Sequence, residues 1–389
     1  MFLRIENARI IEHGGENTAK EIAQQPQTLR KLYSAILERE GEIAAFVAKL
    51  GCDYKIIFTG AGSSEFAGQA VCYVIKHLHP VVESVSTTDI VSSPRQYLCG
   101  EQKILMVSFG RSGDSPESVA CVDLANQLCK DVCHLIITCN KNGGLYTRFE
   151  KAPNALVLLM PEETNDKGFA MTSSVTSMIA AAYLSLCKQS VSSHKDDIES
   201  VSAAMTDFLT SEHPFLHELA RSKPDRIVFL GSNNLHATVR ESALKVMELA
   251  NGQTATLSDS PMAFRHGPKT FLNPAGIKTA AVMLITNDEH TSRYDMDVLK
   301  ELHGENRENI IAVSNKPYPG LAKNSSKHIL LETKTTLTND IFLSILYLLF
   351  TQSLAFLLSF YEGYKIDMPV ESGTLSRVVS GVTIYPYSN

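Results

Sequence analysis

The chain of 389 residues is long enough for two domains of roughly 150 residues each. It is 44% hydrophobic and 20% charged, ordinary for a globular protein, and its net charge is −6. That balance offers no basic surface for nucleic acid, and aromatics at 7% with no Trp weaken a base-stacking reading.

Residues 1–50 read as an N-terminal helical segment. Met1-Phe2-Leu3-Arg4-Ile5-Glu6 has no long apolar core, so no signal peptide is expected. Thr18-Ala19-Lys20-Glu21 has the Thr-x-x-Glu shape of a capping box, and Gln25-Pro26 ends that first helix. Leu29, Leu32, Ile36, Ile43, Phe46 and Leu50 follow helical spacing, which predicts one helix over 29–50.

From residue 51 strands and helices alternate. Apolar runs at 56–59, 104–107, 135–138 and 156–159 read as strands, with helices over 66–75, 119–130 and 171–186. This alternation predicts an α/β fold with a parallel sheet sandwiched by helices. The first domain is placed at 51–187, a polar, loosely helical linker at 188–225, a second domain at 226–361 and a tail at 362–389. The second domain repeats the order of the first. Ile227-Val228-Phe229-Leu230-Gly231-Ser232 echoes the strand at 56, and 309–316 echoes 134–141, including the Asn-Lys pair (Asn140-Lys141, Asn315-Lys316). More loosely, 329–333 echoes 157–163. The near-constant spacing predicts two copies of one domain.

Residues 341–361 are apolar and long enough to span a bilayer. Thr351, Gln352 and Ser353 at the centre suit a helix packed inside protein instead, so no membrane span is expected. The eight cysteines, Cys52, Cys72, Cys99, Cys121, Cys129, Cys133, Cys139 and Cys187, contain no Cys-x-x-Cys pair, and no His cluster has zinc spacing. Free thiols, no metal, no cofactor and a cytoplasmic location are the expectation.

The stretch Val107-Ser108-Phe109-Gly110-Arg111-Ser112-Gly113-Asp114-Ser115-Pro116-Glu117-Ser118 carries the clearest chemistry. A strand feeds a Gly/Ser turn at a helix start, with Ser115 suited to the N-cap and Pro116 to the first helical position. Backbone N–H groups, the positive helix end and hydroxyls then face one point, an anion pocket best suited to phosphate. Without a Walker Gly-Lys pair it is not a nucleotide P-loop. The counterpart turn after 280–285, Thr286-Asn287-Asp288-Glu289-His290, has no glycine, so the phosphate turn belongs to the first copy alone.

In the second copy, Asn233 or Asn234 can cap a helix on which Glu241, Lys245 and Glu248 share one face. A surface ion-pair row has the same spacing. The helix follows the first strand of its domain, so it starts at the carboxyl edge of the sheet, where open α/β folds bind ligands. Farther on, Arg265-His266-Gly267-Pro268 sets one histidine among turn formers. Its ordinary pKa near 6.5 suits proton transfer.

These motifs, together with Gly60-Ala61-Gly62-Ser63-Ser64, resemble the tandem sugar isomerase (SIS) domains of phosphosugar isomerases, including the isomerase half of glucosamine-6-phosphate synthase. The start, Thr18 to Pro26, and the tail, Arg377 to Pro386, resemble most closely the AgaS group of galactosamine-6-phosphate deaminases and tagatose-6-phosphate ketose/aldose isomerases. The resemblance implies that Ser63, Ser64, Ser112 and Ser115 hold a substrate phosphate, with Arg111 where relatives often have Gln. It implies that Glu248 moves a proton between C1 and C2, that Lys245 lies near the oxygens there, and that His266 opens the sugar ring, reaching in from a partner subunit. A small-molecule sugar phosphate and a homo-oligomer, a dimer or a dimer of dimers with sites near the interface, are the implied partners. Arg377 stands nearest to the place of a tail lysine in the synthase. Because arginine stays charged, it suits substrate binding rather than proton transfer. No amidotransferase domain precedes the pair, so glutamine-dependent synthesis is not expected.

The implied activity is conversion of galactosamine 6-phosphate to tagatose 6-phosphate and ammonia. Aldose–ketose isomerisation without ammonia release uses the same base. A sugar-phosphate-sensing regulatory protein would keep the fold without needing Glu248 or His266.

Overall fold

A computed structural model describes residues 1–51, 53–98, 100–101, 103–305, 309–370, 377–378 and 381–388. Helices α1 (Asn7–Glu12), α2 (Glu16–Ala23), α3 (Gln25–Glu38) and α4 (Glu40–Ala48) precede the first strand. Then follow β1 (Tyr54–Thr59), α5 (Ser63–Ile75), β2 (Val81–Ser84), α6 (Thr87–Ser92), α7 (Pro94–Tyr97), β3 (Lys103–Gly110), α8 (Pro116–Leu128), β4 (Val132–Thr138), α9 (Gly144–Phe149), β5 (Ala155–Leu159) and α10 (Ser173–Leu186). The chain continues through α11 (Lys195–Thr210), α12 (Pro214–Arg221), β6 (Arg226–Gly231), α13 (Leu235–Leu249), β7 (Ala255–Asp259), α14 (Pro261–Phe264), β8 (Thr279–Leu284), α15 (Glu289–Gly304), β9 (Ile310–Ser314), β10 (Lys327–Leu330) and α16 (Ile341–Glu362). Two compact units result. One comprises residues 28–166, 173–195 and 373–389, and the other residues 1–27, 167–172 and 196–372.

The first-sheet unit holds β2-β1-β3-β4-β5, every neighbouring pair parallel. The central strands are near-continuous apolar runs because both faces of the sheet are covered. One face packs Ile57, Met106 and Ile136 against Cys121 and Val122 of α8, Ile90 of α6 and Leu145 and Phe149 of α9. On the other, Phe58 and Phe109 stack with ring centres 6.0 Å apart. Gly68 of α5 lies so close that an added Cβ would sit 2.9 Å from that of Phe58.

The second-sheet unit holds β10-β9-β8-β6-β7, also all parallel. Read from β7, this is the strand order of the first sheet. Val228, Leu230, Met283 and Ala312 pack against Phe264, Val298 and Leu302 on one face. α16 is buried along its length, including Thr351, Gln352 and Ser353. Its polar centre is satisfied within the unit. Gln352 accepts from Gln25 Nε2 at 2.7 Å and donates to the Thr172 carbonyl at 3.3 Å. Ser353 donates to Leu349 O at 2.8 Å, and Thr351 meets the Ser242 hydroxyl of α13 at 3.1 Å. Gly363, at φ 88°, then ends the helix in the left-handed conformation that favours glycine.

Several local expectations are corrected. The segment expected as one helix over 29–50 is two, α3 and α4, parted at Arg39. Thr18 does not cap. It lies inside α2, and its N–H and hydroxyl donate to Asp367 at 2.8 and 2.6 Å, while Glu21 accepts from the backbone of Lys167 and Gly168. The capping-box pattern thus ties α2 to distant segments of its own unit. The short edge strands β2 and β7 were not expected because they are half-exposed and lack an apolar run. The last strand is 327–330, not 329–333. Asn234 stands at the N-cap of α13, but its amide donates to Asp340 O and to Ser344 Oγ, each at 2.9 Å, so no side chain caps that helix. The six described cysteines are free, and Cys52 and Cys99 lie outside the described residues.

His134 of β4 is fully buried, and burial pushes its pKa from 6.5 down to about 4. A base whose folded pKa is depressed stabilises the fold above 6.5, and that contribution is lost as pH falls toward 4. Relative to His134→Phe, the wild type therefore loses on the order of 3 kcal/mol between pH 7 and 4. Urea unfolding of both proteins at several pH values checks this. A constant difference contradicts it.

Candidate active site

In the first-sheet unit the chain leaves β1 for β2 on one side and returns to β3 on the other. The carboxyl ends of β1 and β3 are therefore a topological switch point, the place where open α/β folds bind ligands. Both glycine/serine turns lie there, since Thr59 and Ser108 are register partners. Gly60 is required because a Cβ would sit 2.6 Å from the Ser64 backbone. Ser63 and Ser64 open α5 and are buried.

The β3–α8 turn holds Arg111, Ser112 and Ser115. Gly113 turns it at φ 67°. Ser115 is the N-cap residue and Pro116 the first helical residue, as expected. The Ser115 hydroxyl, however, meets Ser118 Oγ at 2.6 Å instead of a backbone N–H. Ser108 lies within β3 rather than in the turn, with its buried hydroxyl unpartnered among the described residues. Asp114 is occupied internally, accepting from Gly144 N at 2.8 Å and Asn140 Nδ2 at 3.4 Å. Its carboxylate thereby holds the neighbouring loop at 140–144. Arg111 is buried, and its guanidinium donates to the carbonyl of Arg377. Arg377 in turn donates to Asn165 Oδ1 at 2.7 Å. The tail is so fastened beside the turn within this unit. Asn165 carried no sequence signal because its partner lies more than two hundred residues away.

The second-sheet unit builds a different site. Lys245 has no exposed side-chain surface, and its ammonium lies 3.4 Å from Glu241, one turn earlier, and donates to Glu248. Glu241 is 2% exposed, whereas Glu248 keeps 24%. The row is therefore a buried triad with one carboxylate open to solvent, not a surface ion-pair row. The second switch point, at the ends of β6 and β8, carries acids instead of a glycine/serine turn. Ser232 donates to Asp295 at 2.5 Å and Thr286 to Asp340, and burial pushes the Asp295 carboxyl up to about 6.

His266 follows α14 and is exposed. Its backbone N–H donates to Ala263 O at 2.9 Å, and Gly267 turns the chain at φ 129°. Arg265 and Lys269 on either side are tied to Glu301, so the loop is pinned while the imidazole projects outward.

A family model for the SIS domain matches residues 49–188. The D-galactosamine-6-phosphate deaminase AgaS of Escherichia coli O157:H7 is 37% identical over 378 residues, covering 96% of each chain. Among solved structures, the tagatose-6-phosphate ketose/aldose isomerase of Escherichia coli superposes with TM-score 0.85 at 34% identity, covering 96% of this chain and 97% of that one. A Clostridium novyi protein assigned to the same activity superposes with TM-score 0.95 at 37% identity, covering 100% and 99%. With both glycine/serine turns at the switch point of a matching SIS domain and near full-length similarity to these proteins, the chain belongs to the SIS-domain phosphosugar isomerase family, in its AgaS group.

Proposed function

We propose that the protein is a galactosamine-6-phosphate deaminase/isomerase, forming tagatose 6-phosphate and ammonia. The single observation that carries this is the buried Lys245 flanked by Glu241 and the partly open Glu248, a preset proton-transfer group in a chain of the AgaS family. The hydroxyls of Ser63, Ser64, Ser112 and Ser115, backbone N–H groups and Arg111 hold the 6-phosphate at the α5 and α8 N-termini, where donors and helix dipoles favour an anion. Arg377, fastened to the same turn, lines the substrate's path.

The α13 triad acts on C1 and C2. His266 assists ring opening, and its exposure suits delivery from the partner subunit of a homo-oligomer. Glu248 takes the C2 proton of the open-chain aminoaldehyde, giving an enolamine. Lys245 stabilises the charge developing on the neighbouring oxygen. Return of the proton to C1 leaves a C2 iminium, and water adds there to expel ammonia and leave the ketose. A cytoplasmic location fits the free thiols.

Glu248→Gln should abolish turnover, a loss of at least a thousandfold, while a sugar 6-phosphate still raises the melting temperature. Turnover within tenfold of wild type removes Glu248 as the base. The pair Ser112→Ala with Ser115→Ala should weaken binding of phosphorylated sugars and leave unphosphorylated analogues unaffected. Calorimetric titration of both ligand sets reads the difference, and equal losses refute the phosphate assignment. Lys245→Met strands Glu241 without its counter-charge and should cost about 3–5 kcal/mol of stability. Adding Glu241→Gln should recover much of that loss in urea unfolding. No recovery means the triad is not coupled in this way.

A further inference from the structure

The second-sheet unit contains a cavity of about 720 Å³ that shares no lining residue with the candidate active site. Its walls include Arg4, Arg9, His213, His217, Arg221 and Tyr361. Three guanidiniums face two carboxylates, Glu6 and Glu212, both exposed. Arg4 is the one that approaches an acid, at 3.9 Å from Glu212. Arg9 and Arg221 have no carboxylate within ion-pair distance among the described residues. Instead Arg9 stacks over Phe360 at 4.9 Å and Arg221 over Tyr361 at 5.0 Å. Stacking holds each planar fork in place and leaves its N–H edge for a ligand.

The first residues of the chain complete this wall under strain. Phe2 and Ile5 exchange backbone hydrogen bonds of 3.1 and 2.8 Å around Leu3 and Arg4, whose φ angles are 46° and 61°. Consecutive left-handed residues that are not glycine persist only where the surroundings hold them. Burial of Phe2, Leu3 and Ile5 does so, together with His217, whose Nε2 donates to Leu3 O at 2.9 Å while Nδ1 accepts from Tyr361 at 2.8 Å. The turn presents Arg4 to the cavity. Helix α12 runs along the same wall, from His213 at its N-cap through His217 to Arg221, its last residue.

We propose that this cavity is a second anion site, taking the phosphate group of a small phosphate monoester. Several donor forks arriving from separate elements suit a tetrahedral anion better than a single carboxylate. The volume falls in the range of small-molecule sites and leaves room for an organic body against Ile5, Pro214 and Tyr361.

The test uses glucose 6-phosphate and inorganic phosphate as probes. Calorimetric titration in a Ser112→Ala/Ser115→Ala background should retain one site for glucose 6-phosphate. Adding Arg9→Gln and Arg221→Gln should weaken it at least tenfold, with inorganic phosphate following the same trend. No binding in that background, or unchanged binding after the arginine substitutions, overturns the site. Because the chain lacks Trp, Tyr361→Trp in the otherwise unaltered protein supplies a second, local reading. Its emission should shift saturably with glucose 6-phosphate and not with potassium chloride of equal ionic strength. An identical chloride response, or a shift that survives the two arginine substitutions, also overturns it.

Discussion

Lys245 keeps its ammonium in a place without solvent, and the second-sheet unit is built around holding it there. Removing a charge from water is costly, by several kcal/mol even after relaxation, unless opposite charges and good geometry offset it. Glu241 and Glu248 supply that offset one turn to either side. α13 can carry such a burden because α16 packs along it, burying its residues 341–360 and matching its own polar centre to Ser242, Gln25 and Thr172. Glu248 alone of the triad reaches solvent. A carboxylate with one side fixed and the other open is what a proton carrier at carbon requires.

Two sheets of one strand order have been put to different uses. The switch point of the first carries glycines and hydroxyls at two helix starts. That of the second carries Asp295, buried and bonded to Ser232, and the half-buried Asp340, bonded to Thr286. Acids set into the second turn disfavour an anion there, whereas Asp114 of the first turn is directed to Gly144 N and Asn140 Nδ2. In the proposed mechanism, this difference suits the first unit to the phosphate and leaves proton transfer to the second.

Much of this was legible in the sequence, because buried parallel strands read as apolar runs and a helix face reads as i, i+4 and i+7 spacing. The triad's spacing was visible, but its burial was not, since the helix that covers it begins almost a hundred residues later. Edge strands β2 and β7 escaped notice because one side of each is wet and their composition is mixed. Thr18 and Glu21 misled for a related reason. Their local pattern fits a cap, yet their partners, Asp367 and the 167–168 backbone, come from far along the chain. The glycine/serine turn at 110–116 was the most legible feature because glycine, serine and proline act there through local backbone geometry. The roles of Asp114 and Asn165 depend on tertiary contacts that no local pattern encodes.

The deaminase/isomerase assignment depends on one reaction. Incubation of the purified protein with galactosamine 6-phosphate, followed by enzymatic determination of ammonia and carbon NMR of the sugar, tests it most directly. It predicts equimolar ammonia and tagatose 6-phosphate, with neither formed from unphosphorylated galactosamine. Recovery of unchanged galactosamine 6-phosphate from an enzyme preparation that binds it would contradict it.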